Sequence, residues 1–252
     1  MSAPPTSNAG GWAARRFWTK AEARDTPDGW QVALDDRLLR TPGKLPLILP
    51  TRVLAEAVAA EWAAQGDLIR PETMPLTRAA NSAIERVTPQ RAEVAAMLAG
   101  YAPSDLLCHR AERPARLVAA QAEGWDGLMD WCADRYGARL VHAPGIMPIA
   151  QDPQALARLE AAVASLGPFA LTALHDLVTL PGSLVLGLAV IDGRLTADEA
   201  HALSRIDEDH QARDWGRDDE AEAAAAARLE ALRHAETFWH LLGDDRASRA
   251  SV

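Results

Sequence analysis

Near residue 75 the chain changes its hydrophobic period, and this constrains its fold more than any other feature. Before that point, short runs rich in aromatic and aliphatic residues lie between turn residues, at 16–19, 30–34, 37–41 and 45–49. Asp35-Asp36 joins the middle two, and Pro42-Gly43 precedes the last. Runs of this kind pair as antiparallel strands, with a hairpin at Asp35-Asp36. Thr51 then caps a helix on which Leu54, Val58 and Trp62 recur at four-residue spacing up to Gly66, and that helix is expected to pack on the sheet. The stretch 68–74 is broken by Pro71 and can supply only an edge strand.

Beyond residue 75 the apolar residues recur at helical spacing, predicting helices over 76–87, 89–101, 114–136, 153–166, 169–180, 183–191, 196–215 and 217–242. Several open on Pro or a Ser/Thr cap and several close at Gly, and Thr196 with Glu199 has the spacing of a capping box. Residues 106–108 are either a short strand or a buried connector. The expected class is therefore α+β. A small β-rich, barrel-like N-terminal domain over 15–74 precedes a larger all-α C-terminal domain over 75–243, between a disordered tail at 1–14 and a frayed one at 244–252.

Composition removes several function classes. A chain of 252 residues with 48% hydrophobic and 24% charged residues can bury a sizeable core. Its net charge of −9 and pI near 5.3 argue against nucleic acid or an anionic membrane as the main partner. The longest apolar stretch, 177–191, is interrupted by Pro181-Gly182 and is too short to span a bilayer, so it reads as buried helix. The first fourteen residues lack the apolar segment of a secretory signal. Cys108 and Cys132 fall inside apolar-periodic segments, as buried thiols do in a reducing compartment, and the cytoplasm is the expected location.

Signatures of chemistry are scarce. Gly43-Lys44 lacks the upstream glycine of a phosphate loop, and the chain has no GxGxxG after a strand, no HExxH and no G-x-S-x-G. Asp207 and His210, with Glu199 and His201 nearby, offer metal-ligand types, but a di-metal bundle needs such ligands from several helices and there is no second Glu-x-x-His. No metal and no cofactor is expected.

The stretch 199–216, EAHALSRIDEDHQARDWG, is more distinctive. On a continuous helix Ser204, Glu208, Gln211 and Trp215 share one stripe, while Leu203 and Ile206 point to the other side. Either the stripe is a binding face anchored by Trp215, or Trp215 closes the helix on the core while the acids face water. Trp62 divides in the same way, being the end of the Leu54–Val58 core stripe or an exposed anchor. If the acids of 207–219 converged in a pocket they would suit metal-assisted or acid–base catalysis. Spread along an open face, they suit binding.

Several motifs occur in a recognisable order: RFW at 16–18, Glu61-Trp62, PLTRAANSAIERV at 75–87, DLLCHRAERP at 105–114, WDGLMDW at 125–131, RYG at 135–137, GSLVLGLAVIDGRLTADEA at 182–200 and DEDHQARDWG at 207–216. Together they resemble the assembly-chaperone family of the F-type ATP synthase that handles the α subunit of the catalytic F1 sector. The resemblance covers about residues 15–242 and implies a small β-rich domain followed by a helical one. It implies a non-enzymatic chaperone, monomeric when free, that binds the F1 α subunit in the bacterial cytoplasm, or in the mitochondrial matrix of eukaryotic relatives. The family's functional position falls in the acidic segment here formed by Asp207, Glu208 and Asp209, with Gln211 and Trp215. His210 stands where relatives commonly carry an aromatic residue. Glu208, Gln211, Trp215, Asp207 and Trp62 are the expected partner-binding residues.

Overall fold

The computed structural model describes residues 15–145, 147, 149–216 and 218–243, with only the backbone of Trp215. Both expected tails, 1–14 and 244–252, lie outside the described residues. Within them a small N-terminal sheet precedes a mostly helical remainder, as the change of period predicts.

Strand β1 (Ala21–Thr26) pairs antiparallel with β2 (Gly29–Leu34), Ala21 opposite Leu34 and Thr26 opposite Gly29, and β3 (Arg37–Leu38) adds to the far edge of β2. The hairpin at Asp35-Asp36 forms as expected. Asp35 takes a positive φ of 54°, tolerable for an aspartate, and its carboxylate accepts the amides of Thr19 and Lys20. These bonds hold its pKa below the usual carboxylate value.

Two strand expectations are corrected. Residues 16–19 do not enter the sheet, because Arg16 binds the end of the first helix instead, donating its amide to the Asp67 carbonyl and its guanidinium to the Gln65 carbonyl. The charge-rich segment AEARDT forms the strand in their place. Residues 45–49 contribute only isolated bridges, Arg40 with Pro46 and Trp30 with Leu49, since Pro46 has no N–H to give a ladder.

Helix α1 (Arg52–Ala63) is capped by Thr51, whose Oγ1 accepts the Leu54 amide at 3.2 Å. It lays Leu54, Ala55, Val58 and Ala59 on the sheet beside Trp18, Val32, Leu34 and Leu49. Gln65, buried beyond its end, clamps the next connection by accepting the Arg70 amide at 2.7 Å and donating to Thr73 Oγ1 at 3.1 Å.

The helical part comprises α2 (Pro75–Ser82), which runs into a π turn over Ala83–Val87, then α3 (Arg91–Ala99), α4 (Ala115–Tyr136), α5 (Pro153–Ala164), α6 (Pro168–Thr179), α7 (Leu184–Ile191), α8 (Ala197–Ser204), α9 (Ile206–Trp215) and α10 (Asp219–Leu241). Residues 106–108 form a 3-10 turn rather than a strand. A short parallel pair, β4 (His109–Arg110) with β5 (Ala143–Pro144), was not foreseen, because two residues carry no period.

Helix α7 is apolar all round and buried from Leu184 to Val190 at the centre of the larger core. Gly187 is required there, since a Cβ would fall 2.5 Å from the Val178 side chain on α6. Asp105 fixes the start of α7 from below. Fully buried, it accepts from the Leu107 amide, Ser183 Oγ and the Val185 amide at 2.7–3.0 Å. Desolvation outweighs these donors and raises its pKa. The smaller core also crosses residue 75: Ala170 and Ala173 of α6, and Phe238, Trp239 and Leu242 at the end of α10, pack with Leu54, Val58 and Trp18.

Candidate functional site

The stretch expected as one helix over 196–215 is two. The capping box at its start forms in full, with Thr196 Oγ1 accepting the Glu199 amide and the Glu199 carboxylate accepting the Thr196 amide. The break comes at Arg205, with φ −105° and ψ 8°. Its cause lies on α4, where the Trp125 indole donates at 2.9 Å to the Leu203 carbonyl that an unbroken helix would pair with residue 207. Ser204 Oγ, bonded to the His201 carbonyl at 2.8 Å, competes for the same turn. Gly124 permits the approach, because a Cβ there would fall within 2.9 Å of Leu203 and Ile206. Ser204 thus leaves the predicted stripe.

Helix α9 lies on α4 through one face and leaves the other open. Asp207 belongs to the covered face: Gln121 Nε2 donates to its carboxylate at 2.6 Å. His210, also buried, accepts from Arg116 Nε at 2.7 Å, and Arg116 pairs with Asp214 as well. The open face carries Glu208 and Gln211, both exposed. They line a groove of about 350 Å3 whose opposite wall is the alanine-rich first half of α10. Trp215 ends α9, and its side chain lies outside what the structure describes.

A cation that the sequence reading did not single out organises this face. The Arg205 guanidinium, only 11% exposed, meets Glu208 at 2.6 Å and Asp209 at 3.1 Å. Arg228 reaches the same Glu208 oxygen from α10 at 3.2 Å. Arginine three residues before Glu208 was the available signal, at a spacing that sets two side chains together on a helix.

Trp62 is separate from this face. It is half-buried in the N-terminal core, its ring edge-on to Trp18 at 5.2 Å, and its indole N–H has no partner among the described residues. The acids of 207–219 diverge: Asp207 faces Gln121, Glu208 and Asp209 face Arg205, Asp214 faces Arg116, and Asp218 caps α10. Among the described residues, no group of three or more His, Cys, Asp or Glu side chains is arranged to hold a metal ion.

A family model described as ATP12 chaperone protein matches residues 15–133. The crystal structure of Atp12 from Paracoccus denitrificans superposes with a TM-score of 0.90 at 61% identity, covering 91% of this chain and 98% of that one. The chain belongs to the ATP12 chaperone family. An Asp-to-Lys variant of the Paracoccus Atp12 matches at 60% identity with the same TM-score and coverage. A protein from Agrobacterium tumefaciens matches at 38% identity and a TM-score of 0.86, over 90% of this chain and 86% of its own. The mitochondrial atp12 protein of Schizosaccharomyces pombe is 23% identical over 214 residues, 80% of this chain and 74% of that protein. The family model ends within α4, and the solved Paracoccus structure extends the likeness over 91% of the chain.

Proposed function

We propose that this protein is a chaperone of ATP synthase assembly that binds the free α subunit of the F1 sector. It covers the apolar interface which that subunit exposes before its neighbour arrives, and releases it into F1 without hydrolysing ATP. Masking such a surface withdraws it from self-association by mass action alone. The observation that carries this reading is the 61% identity to a bacterial Atp12 over 91% of the chain. The open α9 face supports it with a surface of suitable chemistry, on which Glu208 and Gln211 are exposed. Acids that spread over several partners support binding over acid–base or metal-assisted catalysis. The bacterial cytoplasm is the proposed site of action, with the free chaperone a monomer.

Purified F1 α subunit, diluted from denaturant with and without an equimolar amount of this protein, tests the proposal by light scattering. The expected result is suppressed scattering and a co-eluting complex in the absence of nucleotide. No complex, or an absolute requirement for ATP, overturns it.

A further inference from the structure

A second concavity, sharing only α10 with the α9 groove, opens where α2, the π turn, α3, α6 and the second half of α10 meet. It holds about 420 Å3, within the roughly 300–1,000 Å3 of typical ligand sites. The floor is apolar, made by Val94, Met97, Ala173 and Phe238, and Met97 is 42% exposed there. It also straddles the seam between the two cores, since Val94 packs on the larger one while Ala173 and Phe238 belong to the smaller. Ligand sites favour such seams, and π turns of the kind that lines this one recur at functional sites.

The rim is basic in an acidic protein. Arg78 and Arg86, both exposed, border the groove, and neither makes a side-chain hydrogen bond or ion pair among the described residues. Other exposed arginines, Arg233 and Arg135 among them, do have an acid. His175 and His234 also line the mouth, and the one acid there, Asp176, sits 2.8 Å from the His175 ring. Two exposed guanidiniums, of which Arg86 feels the neighbouring Glu85 carboxylate, stand over an apolar floor and complement a ligand that joins apolar side chains to carboxylates.

We propose that this groove docks a short polypeptide segment in which apolar side chains are flanked by Asp or Glu. The apolar side chains enter over Met97 and Phe238, and the carboxylates pair with Arg78 and Arg86. This depends on the proposed chaperone function only in taking a polypeptide as the occupant.

The test uses the full chain and a fluorescein-labelled peptide, Asp-Leu-Phe-Asp-Leu-Glu, capped at its C-terminus, with the same peptide carrying Lys at each acidic position as the comparison. Anisotropy should show saturable binding of the acidic peptide alone, weakened about tenfold or more by Arg78→Glu with Arg86→Glu. Arg78→Gln with Arg86→Gln keeps the test open if the double reversal fails to fold, and should weaken binding less. In protein labelled at the methionine methyls, Met97 should shift on peptide addition while Met129, buried in the larger core, should not. No binding, equal binding of the Lys peptide, or unchanged affinity in the Gln variant overturns the proposal. So does arginine-dependent binding of laurate with none of the peptide, which would assign the groove to a small amphiphile. Capture of the F1 α subunit is a separate measurement, so either reading can fail without the other.

Discussion

Gln121 on α4 and Asp207 on α9 are joined at 2.6 Å across 86 residues of sequence. The same glutamine accepts the Ala111 amide through Oε1 at 2.8 Å, so its amide group spans two segments from a buried position. Asp207→Ala strips a partner from a buried donor and is expected to cost about 1–3 kcal/mol. Asp207→Asn can keep a carbonyl oxygen towards Gln121 and should cost less. Urea unfolding of the two variants checks this; equal stability of Asp207→Ala and the parent would show that the bond contributes nothing.

Glu208 should behave oppositely. It is exposed, its Arg228 contact is a surface pair worth about 0–1 kcal/mol, and the largely buried Arg205 keeps Asp209 as a partner when Glu208 is lost. Glu208→Gln should therefore fold almost as stably as the parent, and Glu208→Lys, which sets a third cation beside Arg205 and Arg228, should lose about 1–2 kcal/mol. Capture of the α subunit should fall tenfold or more in Glu208→Lys if this carboxylate meets a complementary charge on the client. Glu160→Lys on α5, also an exposed site, serves as the control for bulk charge. Undiminished capture by a folded Glu208→Lys protein would move the binding face elsewhere.

Asp105 gives stability an unusual pH dependence. Its folded pKa is raised above the ordinary 3.8, foremost by burial, so the unfolded chain ionises first as pH rises. The contribution of this group is whole below that ordinary value and declines as pH climbs through the higher folded one. Asp105→Asn cannot titrate, so the stability difference, parent minus variant, should shrink as pH rises above the ordinary aspartate value. Chemical unfolding at several pH values measures it, and a difference that widened with pH would contradict the assignment. Asp105→Ala orphans three donors at once and should cost about 3 kcal/mol or more.

Both thiols should be inert in the folded protein. Burial, and secondarily the charge of Asp105, pushes Cys108 and Cys132 up to about 12, so at pH 8 neither is a thiolate. A disulfide reagent is expected to label two cysteines in denaturant and none rapidly in the native state. Fast native labelling would indicate that the larger core opens readily.

We propose that the chain divides near residue 75, yet a nick in the connection should not separate the parts. Glu72 is exposed in a segment otherwise held by Gln65, so a glutamate-specific endoproteinase has an accessible target there, whereas Arg70 precedes Pro71 and resists trypsin. The fragments should co-elute under native conditions and part only in denaturant, because α6 and α10 complete the N-terminal core. Separation on native gel filtration would show that this shared packing is weak.

The helices were legible because each repeats an apolar stripe and announces its ends: Thr51, Thr196 and Ser183 all cap as their positions suggest. The strand AEARDT was not, because its identity comes from pairing with β2 rather than from its own residues. Its available signal was Pro27-Asp28 before Gly29, a turn that requires an equal partner for the run after it. The break at Arg205 was hidden for a related reason. A tryptophan 78 residues away ends α8, and no local propensity at Ser204 or Arg205 records that. The exposure of Glu208 and Gln211 followed from helical spacing, whereas the inward turn of Asp207 depended on Gln121, a partner that spacing does not reveal.

Phe238, Trp239 and Leu242 close a core whose sheet lies some two hundred residues earlier in the chain. At a synthesis rate of about 5–20 residues per second, the sheet and α1 emerge roughly 10–40 s before the helix that covers them. For that interval the part of the core that Phe238, Trp239 and Leu242 cover stands open. A chain proposed to guard another polypeptide's unfinished surface therefore passes through the same exposed condition during its own birth, and α10 is the element that ends it.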